Sequence, residues 1–300
     1  MNKLVVFGSN GLLGQSIVER FRKRYDLYAA SRGEVNKSSI DADRYTRVDM
    51  TNRAQMKDYL SERRPDIIVN AAAYTNVDGC EKEPEACWAG NVRAVENIID
   101  SCVGFEPILV QVSTDYVFDG HAGYYSEKDA PRPGGNYARS KLAAEKIVEQ
   151  SPLQHIIART QVLYGFGRQL NHNFATWVIS RLSSGKNIKV VSDQVGNPTY
   201  VDDLSESIYR LLERKEYGLF HISGSETISR FDFAHKIAEV FDLDTGLIEE
   251  ISTEQLNQLA PRPMNSSFVI DKLVNRIDWE PGDILSGLQR LKIRLVDSHG

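Results

Sequence analysis

The chain has 300 residues, 41% of them hydrophobic and 26% charged, with a formal net charge of −5. That length can bury a large core, and nothing in the composition suggests low complexity or short repeats. The acidic balance offers no long-range attraction to phosphate polymers, and no apolar run approaches the roughly eighteen residues of a spanning helix, so neither nucleic acid nor a membrane is an expected partner.

The first β-rich run, KLVVF (3–7), passes directly into GSNGLLGQSI, where Gly8, Asn10, Gly11, Leu12, Leu13 and Gly14 lead into an amphipathic helix carrying Ile17, Val18 and Phe21. A glycine turn between strand and helix lets a dinucleotide pyrophosphate reach backbone N–H groups where the helix dipole favours an anion. DLYAAS, TRVD, DIIVNAAA, PILVQVS and HIIART supply further strands, and the runs 53–63, 85–102 and 137–150 fit the helices between them. This alternation predicts an α/β fold, a Rossmann-type doubly wound parallel sheet with a smaller C-terminal α/β substrate-binding region. Residues 1–160 are expected to form the dinucleotide-binding domain. Residues 161–300, with the loops SDQVGNPTYVDD and LAPRPMNSS, are expected to be mainly the substrate-binding region, with segments near 190–205 returning to the core.

Ligands of such sheets lie beyond the carboxyl ends of the strands, so the residues just after each run have the strongest claim on function. After the second run stand Ser31 and Arg32, where an NAD site would carry an acid for the adenosine ribose. Small polar and basic residues there tolerate a phosphate, which favours NADPH, while Glu34 leaves NADH open. Asp49 and Met50 are expected beside the adenine, and Ala71, Ala72 and Ala73 are small enough for a cofactor to lie against the sheet. Cys80, Cys87 and Cys102, an odd number without Cys-x-x-Cys spacing, read as reduced thiols of a cytoplasmic protein. The histidines are scattered without metal-ligand spacing, so no metal is expected.

Two Tyr-x-x-x-Lys pairs compete for a catalytic role, Tyr124 with Lys128 and Tyr137 with Lys141. The first runs into DAPRPGG, which cannot continue a helix. The second begins a segment carrying Leu142, Ala143, Ile147 and Val148, so both side chains share one face of a helix. Reduction of a ketone leaves negative charge on oxygen and needs a proton donor. Tyrosine can donate, and a neighbouring ammonium is expected to lower its pKa from about 10.

GSNGLLG, PDIIVNAAAYTNVDGCE, VSTDYVFDG, YARSK, DQVGNPTYVDDL and RPMNSS, in that order, resemble the extended short-chain dehydrogenase/reductases, in their dTDP-4-dehydrorhamnose reductase group. The resemblance implies that Thr114 bonds the substrate carbonyl beside Tyr137, that Lys141 assists, and that Ser113 lies nearer the nicotinamide. It implies substrate contacts at Asp115, Tyr116, Asn173 and Arg262; Asp115 is read either as a sugar contact or as a residue orienting Thr114. Tyr116 stands where related 4,6-dehydratases carry Glu, which favours simple reduction. The group usually has Ser-Trp where this chain has Gln161 and Val162, so Val162 becomes a smaller wall against the sugar. The implied activity is NADPH-dependent reduction of a nucleotide-linked 4-keto-6-deoxysugar. The alternatives are another nucleotide keto-sugar, or a cofactor-binding regulatory role like that of the methionine adenosyltransferase β-subunit. A homodimer is compatible with the resemblance.

Overall fold

Strand β1 (Lys3–Phe7) lies in the interior of a seven-stranded sheet, and its side chains from Leu4 to Phe7 are fully buried. In this computed structural model, which describes residues 1–298, it is joined by β2 (Asp26–Ser31), β3 (Tyr45–Arg47), β4 (Ile67–Asn70), β5 (Ile108–Thr114) and β6 (His155–Thr160). Gly218–His221 forms one edge, and the order is Gly218–His221, β6, β5, β4, β1, β2, β3. Every neighbouring pair is parallel. The chain winds outward from β1 to β3, returns to β4, and winds outward the other way. Strand order therefore reverses between β1 and β4, where a crevice opens beyond the carboxyl ends.

The two-residue period of β1 decides which layer each side chain joins. Leu4 and Val6 pack with Ile17, Val18 and Phe21 of the helix Leu12–Phe21, and with Leu204, Ile208 and Leu211 of the helix Val201–Glu213. Val5 and Phe7 face Met56, Leu60, Val95, Ile98, Ala144 and Val148 on the opposite helices. Each such side chain contributes on the order of 2 kcal/mol by burial, before the entropy of ordering it.

The helix expected over 85–102 is broken. It consists of Pro84–Trp88, a wide π-type turn at Ala89–Arg93, and Ala94–Ser101. Beyond β6 a second core gathers Tyr164, Val178, Phe233, Ile237 and Leu288 around the helices Phe174–Ser183, Arg230–Val240 and Ile284–Asp297. The chain crosses back to the large sheet from Val201 onward. The helix Val201–Glu213, the strand Gly218–His221 and the helix Asp271–Ile277 all belong to the layers of the large sheet, because their apolar residues complete its core.

The reading of three reduced cysteines is corrected. Cys80 and Cys87 are joined as a disulfide with their Cα atoms 5.1 Å apart, while Cys102 is free and buried. The chain breaks at Glu83 between Val77–Lys82 and Pro84–Trp88, and that turn brings together two residues whose spacing matched no motif. Among the described residues no helix is long and apolar enough to cross a membrane, and no group of three or more His, Cys, Asp or Glu could hold a metal.

Candidate active site

Gly8 ends β1 with φ +76°, a left-handed conformation that suits a residue without a Cβ. A Cβ there would lie 2.6 Å from the Ala72 backbone nitrogen, so the glycine loop closes directly onto the end of β4. Gly14 is equally constrained, since a Cβ on it would run into the Gly8 carbonyl and lie 2.7 Å from the Ser9 Cα. The helix Leu12–Phe21 has no side-chain cap at Gly11, which leaves its first N–H groups facing the crevice. Gly8, the uncapped turn and the half-buried Ala71, Ala72 and Ala73 form a cradle that fits a dinucleotide pyrophosphate.

The adenosine end is shaped by loops. Asn10 does not project freely: its Nδ2 donates to Val35 O at 2.7 Å and its Oδ1 accepts from Lys37 N at 2.8 Å, fixing the segment after β2. Ser31 Oγ accepts from Gly33 N, and Arg32 is exposed at the rim. Glu34, the residue that kept a ribose contact open, turns to Arg47 at 2.8 Å. Asp49 receives Thr51 N and Oγ1, and the Met50 carbonyl accepts from Asn97, so both are held at the end of β3.

The rival tyrosine pair separates on geometry. Tyr124 is 62% exposed with φ +49° in a surface loop, and Lys128 is exposed. Tyr137 and Lys141 lie in the helix Asn136–Gln150, whose first turn Glu81 fastens by accepting from Asn136 N and Nδ2 at 2.7 Å. Thr114, at the end of β5, lies near enough to the Tyr137 hydroxyl to favour its ionised form. Thr114 and Lys141 are buried and Tyr137 is half-buried, so the three residues singled out in the sequence share one site.

Their electrostatics differ from expectation. Lys141 sends Nζ to the Val112 carbonyl at 2.6 Å, and burial pulls its pKa down to about 8 against the opposing charge of Glu145. Burial pushes the Tyr137 phenol up, opposed by the nearby Thr114 hydroxyl and reinforced by Asp115 and Tyr116. The expected lowering by Lys141 is not found: four-residue spacing puts both side chains on one face, but the ammonium is drawn to the strand carbonyl.

Ser113 Oγ donates to Glu145 Oε1 at 2.5 Å. Glu145 is also gripped by Arg159 Nε at 2.9 Å and Nη2 at 2.6 Å, forming a buried ion pair that ties the helix to β6. Asp115 is 4% exposed with both oxygens engaged, one by Thr114 and one by Ser266. Tyr116 meets the Tyr137 ring edge-on at 5.8 Å between centroids, and the Arg262 guanidinium lies 5.9 Å from the Tyr116 ring. Arg262 is bonded to Asp78 at 3.0 Å and is not a free cation. Asn173 caps the helix Phe174–Ser183 and donates to Gly165 O, so its amide is spent on shape. Val162 stands just past β6 at φ +44°, which is strained for a β-branched residue.

With this geometry in view, the match decides the family: residues 1–293 correspond to the RmlD substrate binding domain. The chain belongs to the RmlD substrate binding domain family. It is an oxidoreductase of the short-chain dehydrogenase/reductase type. A probable low-salt glycan biosynthesis reductase of Haloferax volcanii is 33% identical, covering 97% of this chain and 98% of the relative. A dTDP-4-dehydrorhamnose reductase of Bacillus anthracis, solved in complex with NADP, is 32% identical and superposes with a TM-score of 0.87 over 98% of this chain and 99% of its own. The methionine adenosyltransferase 2 subunit beta of Xenopus laevis is 28% identical over 90% of this chain and 81% of its own.

Four residues at this RmlD-family site escaped the sequence reading. Glu145 could have been found, because it continues the Tyr137–Lys141 face by another four residues. Asn91 binds the Tyr74 backbone on both sides and Ser140 Oγ at 2.9 Å, from inside the π-type turn that no periodicity signals. Arg230, beside Asp115 and Tyr116 and 5.3 Å from the Phe174 ring, arrives from far downstream in the sequence. Ser266 reaches Asp115 from a loop more remote still.

Proposed function

We propose that this protein reduces the 4-keto group of a nucleotide-linked deoxysugar with NADPH. The observation that carries the reading is the convergence of Thr114, Tyr137 and Lys141 at the carboxyl end of β5, in the sheet whose β1 and β4 ends form the pyrophosphate cradle. A bound reduced nicotinamide would supply hydride to the carbonyl carbon. Tyr137 then gives its proton to the oxygen, and Thr114 hydrogen-bonds beside it. Lys141, held on Val112 O, keeps positive charge close to the reacting groups. Ser31 and the exposed Arg32 support NADPH, since Glu34 is occupied by Arg47. Tyr116 and Val162 are read as walls around the sugar, with Arg262 and Asn173 shaping the site from behind.

The test is consumption of NADPH with dTDP-, UDP-, GDP- and CDP-linked keto-sugars, comparing wild type with Tyr137→Phe. Loss of the proton donor is expected to lower kcat by about 10²–10⁴-fold. Turnover untouched by that substitution refutes the mechanism. The likeness to the methionine adenosyltransferase subunit supports a second reading, a cofactor-binding regulatory protein. Tight NADPH binding without reduction of any keto-sugar would favour it.

A further inference from the structure

Resting on the reading of the crevice as an NADPH site, we propose that Glu145 is a positioning residue: locked by Arg159, it takes the only proton of Ser113 and leaves that hydroxyl as a pure acceptor for an N–H or O–H at the nicotinamide end of the bound cofactor.

Arg159 sets the direction of each proton in the network, because a guanidinium donates and cannot accept. Its Nε and Nη2 give to the two Glu145 oxygens at 2.9 and 2.6 Å. The two side chains are 3% and 1% exposed, so solvent does not compete for these bonds. On its other side Arg159 Nη1 lies 3.4 Å from His221 Nε2, so that nitrogen accepts and the imidazole proton sits on Nδ1, 3.0 Å from the Tyr125 carbonyl. Burial, with Arg159 beside it, pulls the His221 pKa down to about 3 and keeps the ring neutral for this role. A carboxylate between such donors has only lone pairs to offer, so the 2.5 Å contact with Ser113 is a bond that Ser113 gives. The serine hydroxyl has one proton and two lone pairs. With the proton spent on Glu145, only acceptance remains, and among the described residues nothing else bonds to this hydroxyl.

The register of the sheet puts this acceptor at the crevice. β5 pairs with β4 only as far as Gln111 opposite Asn70, but continues beside β6 to Thr114 opposite Thr160. Ser113 therefore stands beyond the last residue of β4, where Ala71, Ala72 and Ala73 leave the sheet. The Lys141 ammonium, four residues before Glu145 on the same helix, is directed to Val112 O and makes no bond to Ser113. A buried acceptor left unfilled is unfavourable, and a ligand donor that reaches it meets a hydroxyl already oriented. The nicotinamide end of the cofactor carries two such donors, the carboxamide N–H and the ribose O–H.

The test is binding and needs no sugar substrate. Calorimetric titration compares NADPH with 2′,5′-ADP, which has the adenosine phosphates and lacks the nicotinamide. Ser113→Ala and Glu145→Gln are each expected to bind NADPH at least about tenfold more weakly than wild type, while binding 2′,5′-ADP unchanged. Because Glu145 acts through Ser113, the double variant should be no weaker than the weaker single variant. Equal losses for both ligands, additive losses in the double variant, or unchanged NADPH affinity overturns the proposal. Breaking a buried ion pair can unfold a chain, so Ser113→Thr provides a comparison that leaves the pair intact. Keeping the hydroxyl, it is expected to bind NADPH within about threefold of wild type; a threonine variant as weak as the alanine one overturns the proposal. The reduced 3-acetylpyridine analogue of the cofactor has no amide N–H. A Ser113→Ala penalty that disappears with it assigns the bond to the carboxamide, and one that persists assigns it to the ribose. Absence of any keto-sugar reduction would count against the proposed function, while these binding measurements still decide the role of Glu145.

Discussion

Lys141 illustrates how a functional side chain opposes stability. Its ammonium is buried, and its pKa is pulled to about 8 from an unfolded value of 10.5. Below pH 8 both states are charged and the folded protein bears the whole desolvation penalty, on the order of 3 kcal/mol at about 1.4 kcal/mol per unit. Between pH 8 and 10.5 the unfolded chain binds more protons, so this residue makes stability rise with pH. Lys141→Met is therefore expected to unfold at higher denaturant concentration than wild type at pH 7, less whatever the Val112 hydrogen bond contributes, while losing turnover. The stability gap should narrow above pH 8 in parallel urea titrations. Arg32 gives a second prediction at this scale. Exposed and without a carboxylate competing at Glu34, it should be replaceable by Asp with a shift of cofactor preference towards NADH, read as the ratio of kcat/KM values; an unchanged ratio removes Arg32 from the phosphate site. Both residues were legible in the sequence as side chains following a strand or sharing a helix face. The contacts around them were not, because the bond of Lys141 to Val112 O and the pairing of Glu34 with Arg47 are set by packing rather than by local pattern.

The glycine turn and the helix that follows show what local sequence can specify. KLVVF reads as the first strand, and the residues after it read as a helix start; both are found where expected. What the sequence did not state was why Gly8 must be glycine here, since the crowding atoms belong to Ala71 and Ala72 beyond another strand. Gly8→Ala would place a Cβ 2.6 Å from the Ala72 nitrogen in a left-handed conformation. Adopting that conformation alone disfavours an L-residue by about 1–2 kcal/mol. The variant is expected to lose at least about 2 kcal/mol of stability and to bind NADPH at least about tenfold more weakly, checked by denaturant unfolding and by fluorescence titration. Retention of wild-type affinity would show that the loop can shift without disturbing the cradle. The broken helix at 84–101 was illegible for a related reason. The π-type turn brings Asn91 to Tyr74 and Ser140, and those contacts lie outside any sequence window.

At the scale of the molecule, the division at residue 160 expected from the weakening strand–helix rhythm meets a chain that returns to its first body twice. β6 is not an edge in the folded protein, since Gly218–His221 pairs with it from Gly218 against Ile156 to His221 against Arg159. The helix Val201–Glu213 covers β1 and the helix Leu12–Phe21, with Leu204, Ile208 and Leu211 fully buried. The return expected near 190–205 extends further than rhythm could indicate, because a return crossing needs only one apolar face, and Leu204, Ile208 and Leu211 would look the same packed on either body. A fragment ending at residue 160 would expose Leu4, Val6, Ile17 and Val18 along one layer and the ladder of β6 at its margin. Such a surface pairs with other chains and leaves too little buried area to offset chain entropy. Fragment 1–160 is therefore expected to aggregate or remain unfolded, with no cooperative transition by circular dichroism and no protection of β1 amides from exchange. The full chain should show both. A fragment that unfolds cooperatively and binds NADPH would place the boundary of the cofactor domain at residue 160, and would mean that the returning segments close the substrate site without being needed to hold the sheet together.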